Sequence, residues 1–368
     1  MKLIPQTAPY IRKNVSVRRM MLDVIIALLP VTLFAMIQNG WSAIYVLLIS
    51  LGTMVLTEVI AHLVMKWPKG MKFKEAFSKE GFKQITALYT INNFTASIIS
   101  GLIYALILPA GCNWYVVFIG ALFGMLIGKM VFGGLGSNIF NPAAVGRIFV
   151  GVCFGTQIGD AYKLSPNYLG ADAIAGATVD GVAGGTPLVN SGYSLLDLFL
   201  GNVPGCMGEV SALLILVGAI YLFARRSADL RSSLSYLLSF AVIMFIAVFV
   251  KGGFNLASAS DWLYQILAGG VLFGAVFMVT DPVTSPTTKF GRILFGIIGG
   301  CITALIRTLG AYPEGVAFSI LIINMLAPTI DYFMRGKPNH YTVKQCILAA
   351  SIIIVIGAIV ACAVGGWF

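Results

Sequence analysis

The chain of 368 residues is 58% hydrophobic and only 10% charged, with a formal net charge of +10 and a mean hydropathy of +0.92. A soluble domain carries about 25% charged residues, so this composition excludes a water-soluble globule. It also excludes a nucleic-acid partner, because the basic residues are spread along the chain rather than clustered with aromatics.

Eleven apolar runs follow a basic arm over residues 1–19. A helix needs ~20 residues to cross the hydrocarbon core. In order the runs are Met20–Gln38, Trp41–Met65, Phe94–Pro109, Trp114–Val131, Val145–Phe154, Ser211–Ala224, Tyr236–Val250, Trp262–Met278, Ile293–Leu309, Val316–Met334 and Val343–Val364. The fifth and sixth are short, as tilted, broken or partly re-entrant segments would be. None has a regular charged face, which argues against a soluble bundle of buried helices. The expected fold is all-α: a polytopic membrane bundle of ten or eleven helices forming one domain over residues 20–368. No small-residue cleavage site follows the first run, so it is expected to stay as an anchor.

With the arm in the cytoplasm, every lysine and arginine except Lys163, Lys251 and Arg307 falls on the cytoplasmic side. This is the positive-inside pattern of a multi-pass protein of a bacterial cell membrane. It places the long connection of about residues 155–208, with Asp160, Asp172, Asp180 and Asp197 against one lysine, on the outer side. The basic connection Lys66–Lys83 is expected inside, against lipid headgroups.

Ionisable groups within spans are expensive and are candidates for function. Asp23 lies near the inner end of the first span, either on an ion route or paired with Arg18 or Arg19. Glu58 and His62 are four residues apart on one helix face, either a proton- or cation-handling pair or a packing pair. Asp331 has Arg335 at i+4, and Glu314 sits in an outward turn close to Arg307. The run Gly133–Asn138 (GGLGSN) breaks an apolar segment. Irregular backbone at that depth must be buried in protein or line a cavity, so the choice is a cofactor or ion cavity or tight helix packing. Two inner turns look alike: NPAAVGRIFVG (Asn141–Gly151) and DPVTSPTTKFGRILFG (Asp281–Gly296). They suggest an internal duplication, with Asp281 a helix cap rather than an ion ligand. The six cysteines have no metal-ligand spacing, and neither a metal site nor a disulfide is expected.

The outer connection contains DGVAGGTPL, Asp180–Leu188. Gly184 and Gly185 remove bulk before Thr186, and Pro187 fixes the following φ. This is either an ordinary turn or a hydroxyl presented to something large.

Five segments in order resemble the D subunit of the Rnf electron-transport complex and its relative, the B subunit of the sodium-pumping NADH:quinone oxidoreductase. They are Pro9–Pro30, Gly128–Arg147, Asp180–Leu188, Phe277–Thr288 and Leu309–Phe333. The resemblance implies FMN joined through its phosphate to Thr186 by a flavin transferase that uses FAD. The family motif runs Asp, two variable residues, Ser or Thr, a small residue, Ala, Thr. Asp180 and Thr186 fit it, whereas Ala183 replaces the hydroxyl residue and Gly185 the alanine. The resemblance further implies a second, non-covalent flavin (riboflavin) and, as partners, the A, B, C, E and G components of the Rnf complex. It implies a role in an ion-translocating ferredoxin:NAD⁺ oxidoreductase. The alternatives are the B subunit of the quinone-reducing relative and a flavin-free transporter or channel.

Overall fold

A computed structural model describes residues 16–65, 67, 89–163, 194–203, 205–267, 270–310, 315–334 and 342–366. Asp180, Thr186, Glu314 and Arg335 lie outside the described residues, as does nearly all of the basic connection 66–83. The helices are α1 (Val17–Asn39), α2 (Trp41–Met65), α3 (Ile91–Leu106), α4 (Trp114–Met125), α5 (Pro142–Cys153), α6 (Gly155–Lys163), α7 (Leu195–Leu200), α8 (Ala212–Arg225), α9 (Leu230–Gly252), α10 (Leu256–Leu267), α11 (Val271–Phe273), α12 (Lys289–Leu309), α13 (Val316–Met334) and α14 (Val343–Val364). Two π-helices, π1 (Leu126–Met130) and π2 (Gly274–Met278), continue α4 and α11.

Each of the eleven apolar runs falls, among the described residues, largely on helix. Among the described residues, α1, α2, α9, α12, α13 and α14 are each long and apolar enough to span a membrane. A seventh span forms if α10 and the α11–π2 segment, bent by 49°, are counted together. The remaining four (α3, α4 with π1, α5 and α8) are shorter. The fold is an all-α polytopic membrane protein.

Side chains at the helix ends explain where these helices start. Asn141 accepts from the Ala143 N–H with Pro142 in the first turn, and Thr288 accepts from the Gly291 N–H. Asp229 caps α9 through the Arg231 N–H and also pairs with Arg292 at the start of α12. Burial works to raise the Asp229 pKa, but the Arg231 N–H and the Arg292 guanidinium offset it and hold the carboxyl below its ordinary value. A depressed folded-state pKa stabilises above the unfolded value and is lost as pH falls through the folded one. Asp229→Ala is therefore expected to cost about 1 kcal/mol at neutral pH. The charge-dependent part of that cost should fade below about pH 4. Thermal melts of the detergent-solubilised protein at both pH values provide the measurement.

Helices meet closely where side chains are small. A Cβ on Gly124 would lie 2.5 Å from the Pro142 carbonyl, and one on Gly300 would lie 2.2 Å from the Tyr236 carbonyl. These glycines let α4 approach α5, and α9 approach α12, backbone to backbone. Hydroxyls tie α9, α12 and α13 together through Tyr236, Thr303 and Ser319, with Thr303 donating to Ser319 at 2.6 Å. Asp23, Asp229 and Asp331 make inter-element contacts at the end of the bundle where α1, α9 and α12 begin, here called the basic face. At the other end, Gln38 donates to the Gly201 carbonyl at 2.9 Å, and the Met207 and Gly208 N–H groups bond to Leu108 and Leu106. Helix α14 packs on α9 and α12, yet only 11% of its most apolar stretch is buried.

Candidate functional site

Both short spans that run toward the basic face end the same way. In π1 the Val131 N–H bonds to the Leu126 carbonyl at 2.9 Å, and in π2 the Val279 N–H bonds to the Gly274 carbonyl at 2.8 Å. A π-helix widens one turn and is found mostly at functional sites. The two match in sequence through Lys129-Met130-Val131 and Phe277-Met278-Val279. Irregular chain then follows in both. After π1, Gly133, Gly134 and Gly136 adopt positive φ values of 111°, 93° and 87°, which a side chain would resist. After π2, the Asp281 carboxylate accepts from the Val283 N–H at 3.1 Å within a turn, so the helix cap expected there falls instead to Thr288, and Asp331 accepts from the Thr287 N–H and hydroxyl.

A cavity of about 80 Å³ lies between the two breaks. Lys129, Asn138 and Asn141 line it from the first break, and Phe277, Thr280 and Asp281 from the second. It has room for several waters and enough polar groups to hold them. The glycine-rich break thus borders a cavity, and close packing of Gly124 and Gly128 against α5 lies beside it.

Lys129 on its wall belongs to an ion pair. Lys129 Nζ lies 2.8 Å from Glu58 Oε2, with the two side chains 3% and 1% exposed. The Ser97 hydroxyl donates to the same oxygen. Glu58 Oε1 is buried without a hydrogen-bond partner. His62 is buried on the same side of α2 and meets the Tyr89 ring edge-on at 5.5 Å. Glu58 and His62 thus both face inward, as their spacing suggested, and Lys129 from π1 joins Glu58 as an ion-pair partner that the spacing did not show.

For Asp23 the expected partner is corrected. Its carboxylate pairs with Arg225 at 3.2 Å and accepts from Tyr221 and Ser227, joining α1 to α8, while Arg18 and Arg19 are exposed. Arg307 donates to the Gln265 carbonyl at 2.8 Å and stacks over Phe240. Lys129 and Asp281 therefore line one cavity, with Glu58 behind Lys129 and Asp23 behind Ser227, which lines the same cavity.

Asp180 and Thr186 lie outside the described residues, but both flanks of their segment are placed. On one side α6 is held by Arg147 donating to Tyr162 at 3.1 Å. On the other, α7 starts with a capping box between Ser194 and Asp197 and ends at Gly201, which Gln38 holds. Both flanks lie at the end of the bundle opposite the basic face.

The profile of the NQR2, RnfD, RnfE family matches residues 4–340. The chain is 33% identical over 348 residues to the D subunit of the ion-translocating oxidoreductase complex of Stutzerimonas stutzeri, covering 88% of this chain and 92% of that one. It is 33% identical over 346 residues to the D subunit of the Na(+)-translocating ferredoxin:NAD(+) oxidoreductase complex of Acetobacterium woodii, covering 92% and 95%. It is 39% identical over 238 residues to the B subunit of the Na(+)-translocating NADH-quinone reductase of Chromohalobacter salexigens, covering 64% of this chain but only 57% of that one. Helix α14 lies beyond the matched residues.

Proposed function

Because the chain belongs to the NQR2, RnfD, RnfE family, we propose that it is the D subunit, membrane-embedded, of an ion-translocating ferredoxin:NAD⁺ oxidoreductase, the Rnf complex. In this reading it relays electrons through FMN attached by a phosphoester to Thr186. The observation that carries it is length. The match runs through 92% and 95% of two D-subunit relatives, against 57% of the quinone reductase relative. The A, B, C, E and G components of the complex are its partners, and a flavin transferase matures it.

Several features support the attachment. Thr186 follows two glycines, residue types that carry no side-chain bulk beside its hydroxyl. The flanks of its segment sit opposite the basic face, which is the outer side in the positive-inside orientation. A cofactor there is retained best by a covalent bond. When attached, the flavin supplies one-electron transfer, and the protein supplies position and electrostatics. Thr186 is a tether and Asp180 part of the signal for the transferase. A non-covalent riboflavin completes the cofactor set in this reading.

The higher identity of 39% favours a second reading, the B subunit of the quinone-reducing relative. Reduction of quinone rather than NAD⁺ by the purified complex would select it. The flavin itself is read on a denaturing gel with the transferase co-expressed. The wild-type band is expected to fluoresce under ultraviolet light, Thr186→Ala to be dark, and the peptide Asp180–Tyr193 to carry the mass of FMN. A dark wild-type band would leave a flavin-free transporter as the better reading.

A further inference from the structure

We propose that Lys129 is a tethered counter-cation that moves between Glu58 and Asp281, and so sets when Glu58 is open to a transported monovalent cation. This rests on the ion-translocating reading above and adds to it a residue that positions charge.

Four observations carry the argument. First, the pair is only half satisfied: Oε2 of Glu58 receives both Lys129 and Ser97, while the buried Oε1 has no hydrogen-bond partner. A buried pair that merely held helices together would need its remaining lone pairs satisfied to offset desolvation. Second, Lys129 also lines the cavity whose far wall holds Asp281, and the Asp281 carboxylate attracts the same ammonium. Third, Lys129 is carried on π1, a widened turn of the kind found mostly at functional sites. Fourth, the matching position in the second half is Phe277, on the same cavity. The packing of the two halves therefore does not require a charge at this place.

The charges balance for one ion. With both carboxylates ionised, Glu58, Asp281 and Lys129 sum to −1, which a single monovalent cation neutralises. With the ammonium on Glu58 the site is closed. When the ammonium swings to Asp281, Glu58 exposes two oxygens beside the Ser97 hydroxyl, an oxygen set suited to a small hard cation. Return of the ammonium expels the cation. No covalent or redox step is involved.

The test measures turnover of the purified complex in sodium-depleted buffer titrated with NaCl. Lys129→Met removes the internal competitor, so half-saturating Na⁺ is expected to fall by about tenfold or more. Turnover at saturating Na⁺ should fall too, because nothing expels the ion. Asp281→Asn removes the alternative seat, holds the ammonium on Glu58, and should raise half-saturation by roughly tenfold. This second variant decides the matter if Lys129→Met does not assemble. An unmoved half-saturation in assembled Lys129→Met or Asp281→Asn complex overturns the proposal, as does wild-type turnover indifferent to Na⁺. A dark Thr186 band with intact Na⁺-stimulated turnover would defeat the flavin assignment and leave the lysine exchange standing.

Discussion

Gly300→Leu is expected to abolish assembly of the folded protein. At this position α12 touches α9 with no side chain between the backbones. The first added carbon would already lie 2.2 Å from the Tyr236 carbonyl, 2.2 Å from the Ser239 hydroxyl and 3.0 Å from the Phe240 N–H. Two of those three obstacles are main chain inside a 23-residue helix and cannot rotate away. Overpacking a core with flexible neighbours costs about 1–3 kcal/mol. Here the helices must separate, which would also pull apart the Tyr236–Thr303–Ser319 hydroxyl network. A loss at or beyond the top of that range is a large share of the ~5–15 kcal/mol that holds a typical domain folded. Gly52→Leu makes a control, because nothing lies within 4 Å of an added carbon there. The readout is the monodisperse peak in detergent size exclusion after a heating series. Equal survival of the two variants would refute the close α9–α12 contact.

The second large effect belongs to Glu58. Glu58→Ala leaves the Lys129 ammonium buried without its carboxylate, and removing one member of a buried pair costs about 3–5 kcal/mol. Lys129→Ala should cost a comparable amount by the same logic. The double variant Glu58→Ala/Lys129→Ala is expected to be clearly more stable than the sum of the two predicts, because it leaves no orphaned charge. Thermal melts of all four proteins complete the cycle. Strict additivity would mean that the two groups do not meet inside the protein. Stability and ion response are separate here: the cycle reports the contact, and the sodium titration reports its use.

Much of the architecture was legible because lipid restricts what a crossing chain can be. The runs Trp41–Met65, Val316–Met334 and Val343–Val364 match α2, α13 and α14 residue for residue, since apolar composition and helix coincide in them. A cavity beside GGLGSN was legible for a related reason: its glycines interrupt the helix, and Leu135 and Asn138 of the irregular run then line the space. The π-helices were not legible, because one extra residue in a turn leaves no compositional trace. The Glu58–Lys129 pair was hidden by its separation of 71 positions. Lys129 also fits the positive-inside count as an interfacial anchor, and only packing shows it buried. Asp23 failed in the same way: its neighbours in sequence offered two arginines, but the fold supplies Arg225 from α8. Local spacing nominates the charged residues within a membrane bundle, and tertiary packing assigns their partners.

Helix α14 follows the last residue of the family match and runs from the basic face toward the opposite one. With 11% of its most apolar stretch buried, α14 stands as an outrigger on the bundle, and most of its flank is left to the surrounding hydrocarbon.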